Sequence, residues 1–511
     1  MEKLLEAFER YRDLIDDWDA FVDALQRPLP VSFWINTNKI PEQAFVDILQ
    51  EERLKPTALP WYPNGYTLPS DSKLGGRWHY LLGFSHIQEA VSLLPVMFLE
   101  PKPGERILDM CAAPGGKTAQ IAMRMEGKGT LVANDANKGR LKAVRRHLSR
   151  LGLQNLAITK YDASNYPNAA GQFDRILADV PCSCQGTSRK KVKVASRSLE
   201  MEFLQKIRRT QIAILKRAVK LCRPGGRIVY STCTYAPEEN ESVVNEILQS
   251  FGPEQVRVLP MDIEGFRMEE GITSWEGESF DDSLRHTRRV WPHHNDTGGF
   301  YVAVLEKSAE IEEPKKKHQK PVSFGLDEDV YEPIPMTYPH LQELVQHFGI
   351  PEETFEGLHF VKRGCRKMYL FPEEHLPPRR PEVMTVGLPF MSVGKRLAKL
   401  NTSAALVFGR YATQNVVDLE KAQLDAFIRL EPIPIDAHQA RHCTELGYVL
   451  LRYRSYIVGI TVFLPERKAG ELVDEAELDR EDKRRDPTLG GILQAGFPKA
   501  WALEYTISIL D

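Results

Sequence analysis

Cysteine is scarce in this sequence: seven residues among 511, an odd number without the spacing of a disulfide framework. That excludes the small stapled scaffold of secreted proteins and points to a reducing, cytoplasmic setting. Long apolar runs are missing as well, so no segment is expected to cross a membrane, which takes roughly 20 consecutive apolar residues. The first residues, Met1-Glu2-Lys3-Leu4-Leu5-Glu6, are acidic and amphipathic and lack the basic start and apolar core of a secretion signal. There is no excess of positive charge: the net charge is −3, so a nucleic-acid partner needs a local basic patch. No internal repeat is found, which excludes solenoids and propellers.

What is present is the alternation of an α/β protein. At 511 residues the chain is too long for one core, and two to four domains are expected. Residues 1–84 mix helical patterns with a short strand around Pro28–Asn36. Residues 85–307 alternate apolar strands with amphipathic helices, the pattern of a parallel sheet with crossover helices. Strands are predicted near Arg106–Cys111, Gly129–Asp135, Leu156–Asp162, Phe173–Val180 and Arg227–Thr232, with a late one over Gly299–Leu305. The clearest helices are Lys138–Leu151 and Leu199–Cys222, the second stopped by Pro224-Gly225-Gly226. Residues 308–324, which include Lys315-Lys316-Lys317, read as a polar linker. Residues 325–511 read as a mostly β accessory domain, with strands over Gly447–Tyr453, Tyr456–Leu464 and Ala502–Leu510.

The first strand of the central segment runs into Cys111-Ala112-Ala113-Pro114-Gly115-Gly116-Lys117-Thr118 and then a helix. Small residues there let the backbone approach a ligand, and the helix start offers free amides. Gly116-Lys117-Thr118 fits the end of a phosphate-binding loop, but Cys111 stands where that loop needs its first glycine. The dinucleotide fingerprint is also absent. The remaining option is a cofactor without phosphates, such as S-adenosylmethionine. Asp135 at the end of the second strand suits a ribose, and Asp162 at the end of the third suits an adenine amino group. Taken singly, Asp162 reads equally well as a helix cap.

Two thiols stand at strand ends, Cys182 in Asp179-Val180-Pro181-Cys182 and Cys233 in Ser231-Thr232-Cys233-Thr234. Ligands bind at the carboxyl ends of strands in open α/β sheets, so both thiols are expected in one crevice. Carbon 5 of cytosine is too poor a nucleophile to take a methyl group from a sulfonium. A thiolate adding at carbon 6 makes the ring enamine-like, and a carboxyl near ring nitrogen 3, here Asp179, disperses the developing charge. Cys182-Ser183-Cys184 is a close pair, but it lacks Cys-x-x-Cys spacing and a second pair, so no metal is expected. Arg189–Arg217 holds ten Lys/Arg against Glu200 and Glu202, and the helix from Lys138 holds six basic residues and no acid. These runs are the candidate surface for a phosphate backbone.

These three motifs, in this order, resemble the Sun-type RNA cytosine-5 methyltransferases over roughly residues 1–307. The resemblance implies a Rossmann-like methyltransferase domain with an N-terminal α+β RNA-binding extension. It implies an S-adenosylmethionine site formed by Cys111, Ala112, Ala113, Pro114, Gly115, Gly116 and Lys117 with Asp135, Asp162 and Asp179. It makes Cys233 the nucleophile and Cys182 the residue that assists product release, with Lys117 and Asp179 placing the cytosine. Finer features, among them Gln88-Glu89-Ala90-Val91-Ser92 and Trp291-Pro292-His293-His294, are similar to the transfer-RNA branch, which favours tRNA over rRNA as substrate. No protein partner is implied. The C-terminal region loosely resembles PUA-like RNA-binding domains. One residue departs from the family pattern: Cys184 stands where glycine is usual after Pro-Cys-Ser. A non-catalytic RNA-binding protein of the same fold is the alternative outside enzymology.

Overall fold

A computed structural model of the protein describes residues 2–190, 201–311, 321–393, 398–443, 447–465 and 491–493. The chain forms two compact units. The first comprises Met1–Leu74, Gly83–Asp327 and Phe371–Gly387, the second Gly75–Leu82, Glu328–Leu370 and Leu388–Asp511.

The first unit is built on a ten-stranded sheet. Its centre is five parallel strands, in spatial order Leu156–Thr159, Thr130–Asn134, Arg106–Asp109, Phe173–Asp179 and Cys222–Thr232. In chain order that is 3-2-1-4-5, the Rossmann-like arrangement. The order reverses between the Arg106 and Phe173 strands, and ligands of such sheets bind at the carboxyl ends beside that switch. Helices cover both faces, so these strands are apolar runs rather than alternating ones, and all five residues of Thr130–Asn134 are buried. The late strand, Phe300–Lys307, runs antiparallel to Cys222–Thr232 and places Tyr301 opposite Thr232.

Local chemistry explains the helix over Lys138–Leu151, found at the predicted bounds. Leu141, Val144, Leu148 and Leu151 fall at helical spacing and are buried. Asn137 Oδ1 accepts from the amides of Gly139 (2.8 Å) and Arg140 (3.2 Å), and Gly152 ends the helix at φ 80°. Each fully buried Leu or Val contributes about 1.5–3 kcal/mol.

The N-terminal residues of the first unit form a four-stranded sheet, Thr57–Ala58, Gly65–Leu68, Val31–Ile35 and Ser85–Ile87, flanked by helices. Phe8, Tyr11 and Phe21 pack on Tyr235 and Trp291 in one aromatic core. Tyr235 lies two residues past Cys233, so this extension buttresses the loop that carries the thiol.

A boundary at residue 325 does not describe the first unit. Val383–Val386 joins its sheet, pairing antiparallel with Leu156–Thr159 and covering what would otherwise be an open edge. The second unit holds two five-stranded sheets and the helices Pro339–Phe348, Thr402–Phe408 and Lys421–Ile428. Gly447–Tyr453 and Tyr456–Pro465 pair there as neighbours. The predicted strand over Ala502–Leu510, the Lys315–Lys317 run and residues Leu199 and Glu200 lie outside the described residues. Among the described residues no helix is long and apolar enough to cross a membrane.

Candidate active site

Three chain segments meet at the carboxyl end of the sheet. The first is the loop after Arg106–Asp109. Its backbone is tied to both neighbouring strands, Met110 N donating to Leu177 O (3.0 Å) and Ala112 N to Asn134 O (2.7 Å). Gly115 adopts φ 110°, and a Cβ there would stand 3.1 Å from Val144 Cα, so this turn requires glycine. The helix Gly116–Arg124 follows, presenting its first amides to the crevice.

Lys117 projects from that helix to Asp179 at the end of the fourth strand. Its Nζ donates to Asp179 Oδ2 at 2.8 Å, and Ser231 Oγ donates to Oδ1 at 2.8 Å. Burial opposes the Lys117 charge, but the Asp179 carboxylate outweighs it, and the ammonium is held above its ordinary range.

The thiols complete the site. Cys182 Sγ lies 3.3 Å from Cys233 Sγ and 3.9 Å from Cys184 Sγ. The loop carrying Cys182 is locked to the Cys233 segment. Gly186 N donates to Cys233 O (2.9 Å), Ser183 N donates to Glu239 Oε2 (2.9 Å), and Gln211 bridges Pro181 O to Glu239. A Cβ on Gly186 would meet Gly299 O at 2.2 Å, so the loop also seats against the late strand. The hydrogen bonds with Cys184 and Cys233, together with burial, push the Cys182 thiol well up. On Cys233 the bond with Cys182 pulls down, while Cys184, burial and Asp179 push up and prevail. The two thiols thus share one hydrogen bond, and both are held well above the ordinary thiol range. Cys184 sits in the left-handed region at φ 58°, a conformation that costs a non-glycine residue on the order of 1–2 kcal/mol.

The predicted cofactor acids are placed unequally. Asp135 is buried at the end of its strand, accepting from Asn137 N (2.8 Å) and, at 3.4 Å, from Ala113 N of the loop. A carboxylate has about four acceptor positions, so capacity remains for hydroxyls. Asp162 is exposed and caps a short turn, accepting from Ser164 N (3.0 Å), Ser164 Oγ (2.8 Å) and Asn165 Nδ2 (3.1 Å). Burial is outweighed by those bonds, and its carboxyl lies below the usual range. The third strand stops at Thr159, so Asp162 lies three residues past its end and caps the turn that follows. Burial raises the Cys111 thiol well above its ordinary value, and Ala112 and Ala113 are buried beside it.

Much of the basic run does not face solvent. Arg189 has no exposed side chain; it donates to Thr297 O, Pro28 O and Asp296, clamping two loops. Arg208 donates to Ser242, Lys216 pairs with Glu246, and Arg217 donates to Tyr166 O. From the other run, Arg150 is buried against Ser85 O and His86. Lys138, Lys142, Arg145, Lys190, Lys206 and Arg209 remain exposed. Lys191, Lys193 and Arg197 lie outside the described residues.

Two acids to which sequence reasoning gives no role in the site hold its loops. Glu239 is fully buried and holds the Cys182 loop, and burial raises its carboxyl. Glu89 accepts from Gly298 N at 3.1 Å and is likewise raised by burial. Pro237-Glu238-Glu239-Asn240-Glu241 looks like a solvated acidic run, so its sequence carries no signal of this.

Asp109 allows a test of the loop's foundation. It accepts from Thr118 Oγ1 at 2.6 Å, and burial pushes its carboxyl up to about 7. The folded protein therefore holds this proton more tightly than the unfolded chain, whose value is about 3.9. Its stabilising effect is complete below about pH 4 and lost as pH rises through about 7. Asp109→Asn mimics the protonated group. Urea unfolding is expected to show wild type losing on the order of 1–4 kcal/mol relative to that variant across this window. Parallel pH profiles would contradict the assignment.

Comparison with known proteins bears on this geometry. Residues 96–306 match the family described as 16S rRNA methyltransferase RsmB/F, and residues 5–90 match the N-terminal domain of 16S rRNA methyltransferase RsmF. The tRNA (cytosine(49)-C(5))-methyltransferase of Pyrococcus abyssi is 38% identical over 302 residues, covering 58% of this chain and 94% of that protein. Ribosomal RNA small subunit methyltransferase F of Aeromonas salmonicida is 31% identical over 474 residues, covering 90% of this chain and 94% of its own. A methyltransferase homologue from Pyrococcus horikoshii superposes with a TM-score of 0.53 at 32% identity, covering 60% of this chain and 98% of that one.

Proposed function

The chain belongs to the Sun-type RsmB/F family of RNA cytosine-5 methyltransferases, and from that premise we propose that it methylates a cytosine of small-subunit ribosomal RNA through a covalent adduct on Cys233. The observation that carries the mechanism is the Cys182–Cys233 contact of 3.3 Å beside the Lys117–Asp179 pair.

S-adenosylmethionine, the methyl donor of this enzyme class, supplies an electrophilic methyl group on a sulfonium. The residues present fit it. The Gly115 turn and the first amides of the Gly116–Arg124 helix leave backbone open to a ligand, and Asp135 keeps acceptor capacity at the end of its strand. Cys111 to Lys117 with Asp135, Asp162 and Asp179 are the residues assigned to hold it.

The chain's own groups then act in order. A flipped or unpaired cytosine enters, because a stacked base hides the faces of its ring. The Cys233 sulfur, once its S–H proton has passed to a base, adds to carbon 6 within hydrogen-bond reach of Cys182. Asp179, taking a proton through its 2.8 Å hydrogen bond from the Lys117 ammonium, donates to ring nitrogen 3 and disperses the charge that develops there. Once carbon 5 carries its methyl group, a base takes the proton from that carbon, the pair left behind forms the C5–C6 double bond, and the Cys233–C6 bond breaks to return the sulfur as thiolate, a release that Cys182 assists.

Extent of alignment favours ribosomal RNA. The Aeromonas protein aligns over 90% of the chain, whereas the Pyrococcus tRNA enzyme aligns over 58%. The second reading, tRNA, rests on the 38% identity of that shorter match and on the tRNA-branch features of the sequence. The N-terminal extension and the C-terminal unit are assigned to RNA binding in both readings. Bisulfite sequencing of total RNA with and without the gene separates them. Loss of one 5-methylcytosine from small-subunit rRNA is expected; loss from tRNA alone selects the second reading.

A further inference from the structure

We propose that Cys182, Cys184 and Cys233 form a three-thiolate site for a soft divalent cation of the zinc and cadmium class, and that occupancy shuts off methyl transfer. The three sulfurs come from two separate chain segments and lie within 4.8 Å of one another. Two of the separations are 3.3 Å and 3.9 Å. Sulfurs sharing one tetrahedral zinc at about 2.3 Å stand about 3.8 Å apart, so little movement separates this cluster from a coordination sphere. Cys182-Ser183-Cys184 alone lacks a partner pair; the fold supplies the third ligand from the end of the next strand.

The cluster is also held in place. Gly186 N to Cys233 O and Ser183 N to Glu239 fix the two segments against each other. The left-handed backbone of Cys184 turns its sulfur back toward Cys182, whose carbonyl oxygen it contacts at 3.4 Å. Charge agrees: three thiolates and a divalent cation sum to −1, and the Lys117 ammonium lies close enough to Cys233 to feel its charge. Binding replaces three S–H protons, which are released to solvent. Cys184 takes no part in the methyl-transfer steps and is the ligand that turns a dithiol into a trigonal site. The coordination stands on geometry alone, whereas the inhibition rests on Cys233 and Cys182 being the reacting thiols.

The test titrates metal-free, full-length wild type and Cys184→Gly with cadmium in a phosphine reductant. The readout is the thiolate-to-cadmium charge-transfer absorbance, with zinc added as competitor. Wild type is expected to show the intensity of three thiolates, and Cys184→Gly to bind more than about 10-fold more weakly. Cys184→Ser serves if the glycine variant does not fold. Methyl transfer by wild type is expected to fall to background at one equivalent of zinc, and the variant to need more than about 10-fold more, each relative to its own metal-free rate. Equal cadmium affinity in wild type and variant, or full wild-type turnover with zinc bound, overturns the proposal. Failure of metal-free wild type to methylate RNA would instead count against the reading of the active site and leave the coordination standing.

Discussion

Cys233→Ala is expected to lower methyl transfer to RNA by at least about four orders of magnitude, since in the proposed mechanism Cys233 is the group that adds to carbon 6 of the base. In that mechanism the sulfur's covalent bond activates carbon 5, and its loss returns the ring to its unreactive state. Neighbouring groups cannot substitute. Cys182 is held on the far side of a 3.3 Å contact, and Asp179 is engaged by Lys117 and Ser231. The variant is expected to fold, because Cys233 is only partly buried and its carbonyl contact with Gly186 is retained by alanine. S-adenosylmethionine affinity, measured calorimetrically, should change little. Turnover within 10-fold of wild type would remove Cys233 from the mechanism.

Cys182→Ala is expected to behave differently: turnover falls, and a stable protein–RNA complex accumulates as a slow band on a denaturing gel. In the proposed mechanism addition at carbon 6 and methylation need Cys233, which is intact. Release needs the Cys233–C6 bond to break, and the thiol 3.3 Å from that sulfur is the nearest group able to assist. Cys182→Ala/Cys233→Ala should lose the band altogether. A single variant that turns over freely without a band would contradict the division of labour between the thiols.

Much of this site is legible in the residues. Parallel strands buried on both faces leave apolar runs, and the helix over Lys138–Leu151 announces itself by its apolar spacing, its Asn137 cap and Gly152. Alternation announces a parallel sheet with ligands at its strand ends, whereas the 3-2-1-4-5 order that places the switch point is seen in the fold. Less legible is what depends on direction. Charge in sequence does not say where a side chain points, so Arg189 counts as a surface cation until its four contacts with loop groups are seen. Glu239 looks solvated and is fully buried, because its neighbours Pro237 and Asn240 turn the chain inward beneath the Cys182 loop. Val383–Val386 has the composition of any edge strand, and only the fold pairs it with a strand more than two hundred residues earlier. Cys184 differs again: its identity is visible, but its meeting with Cys233 depends on two strand ends brought side by side.

The most direct test is mass spectrometry of the trapped complex. Cys182→Ala enzyme, incubated with RNA and S-adenosylmethionine, is digested with nuclease and protease, and the nucleotide-bearing peptide is sequenced. The account predicts a methylated cytidine nucleotide attached to Cys233. Attachment to any other residue, or the absence of a covalent species while methylated RNA is formed, would contradict it.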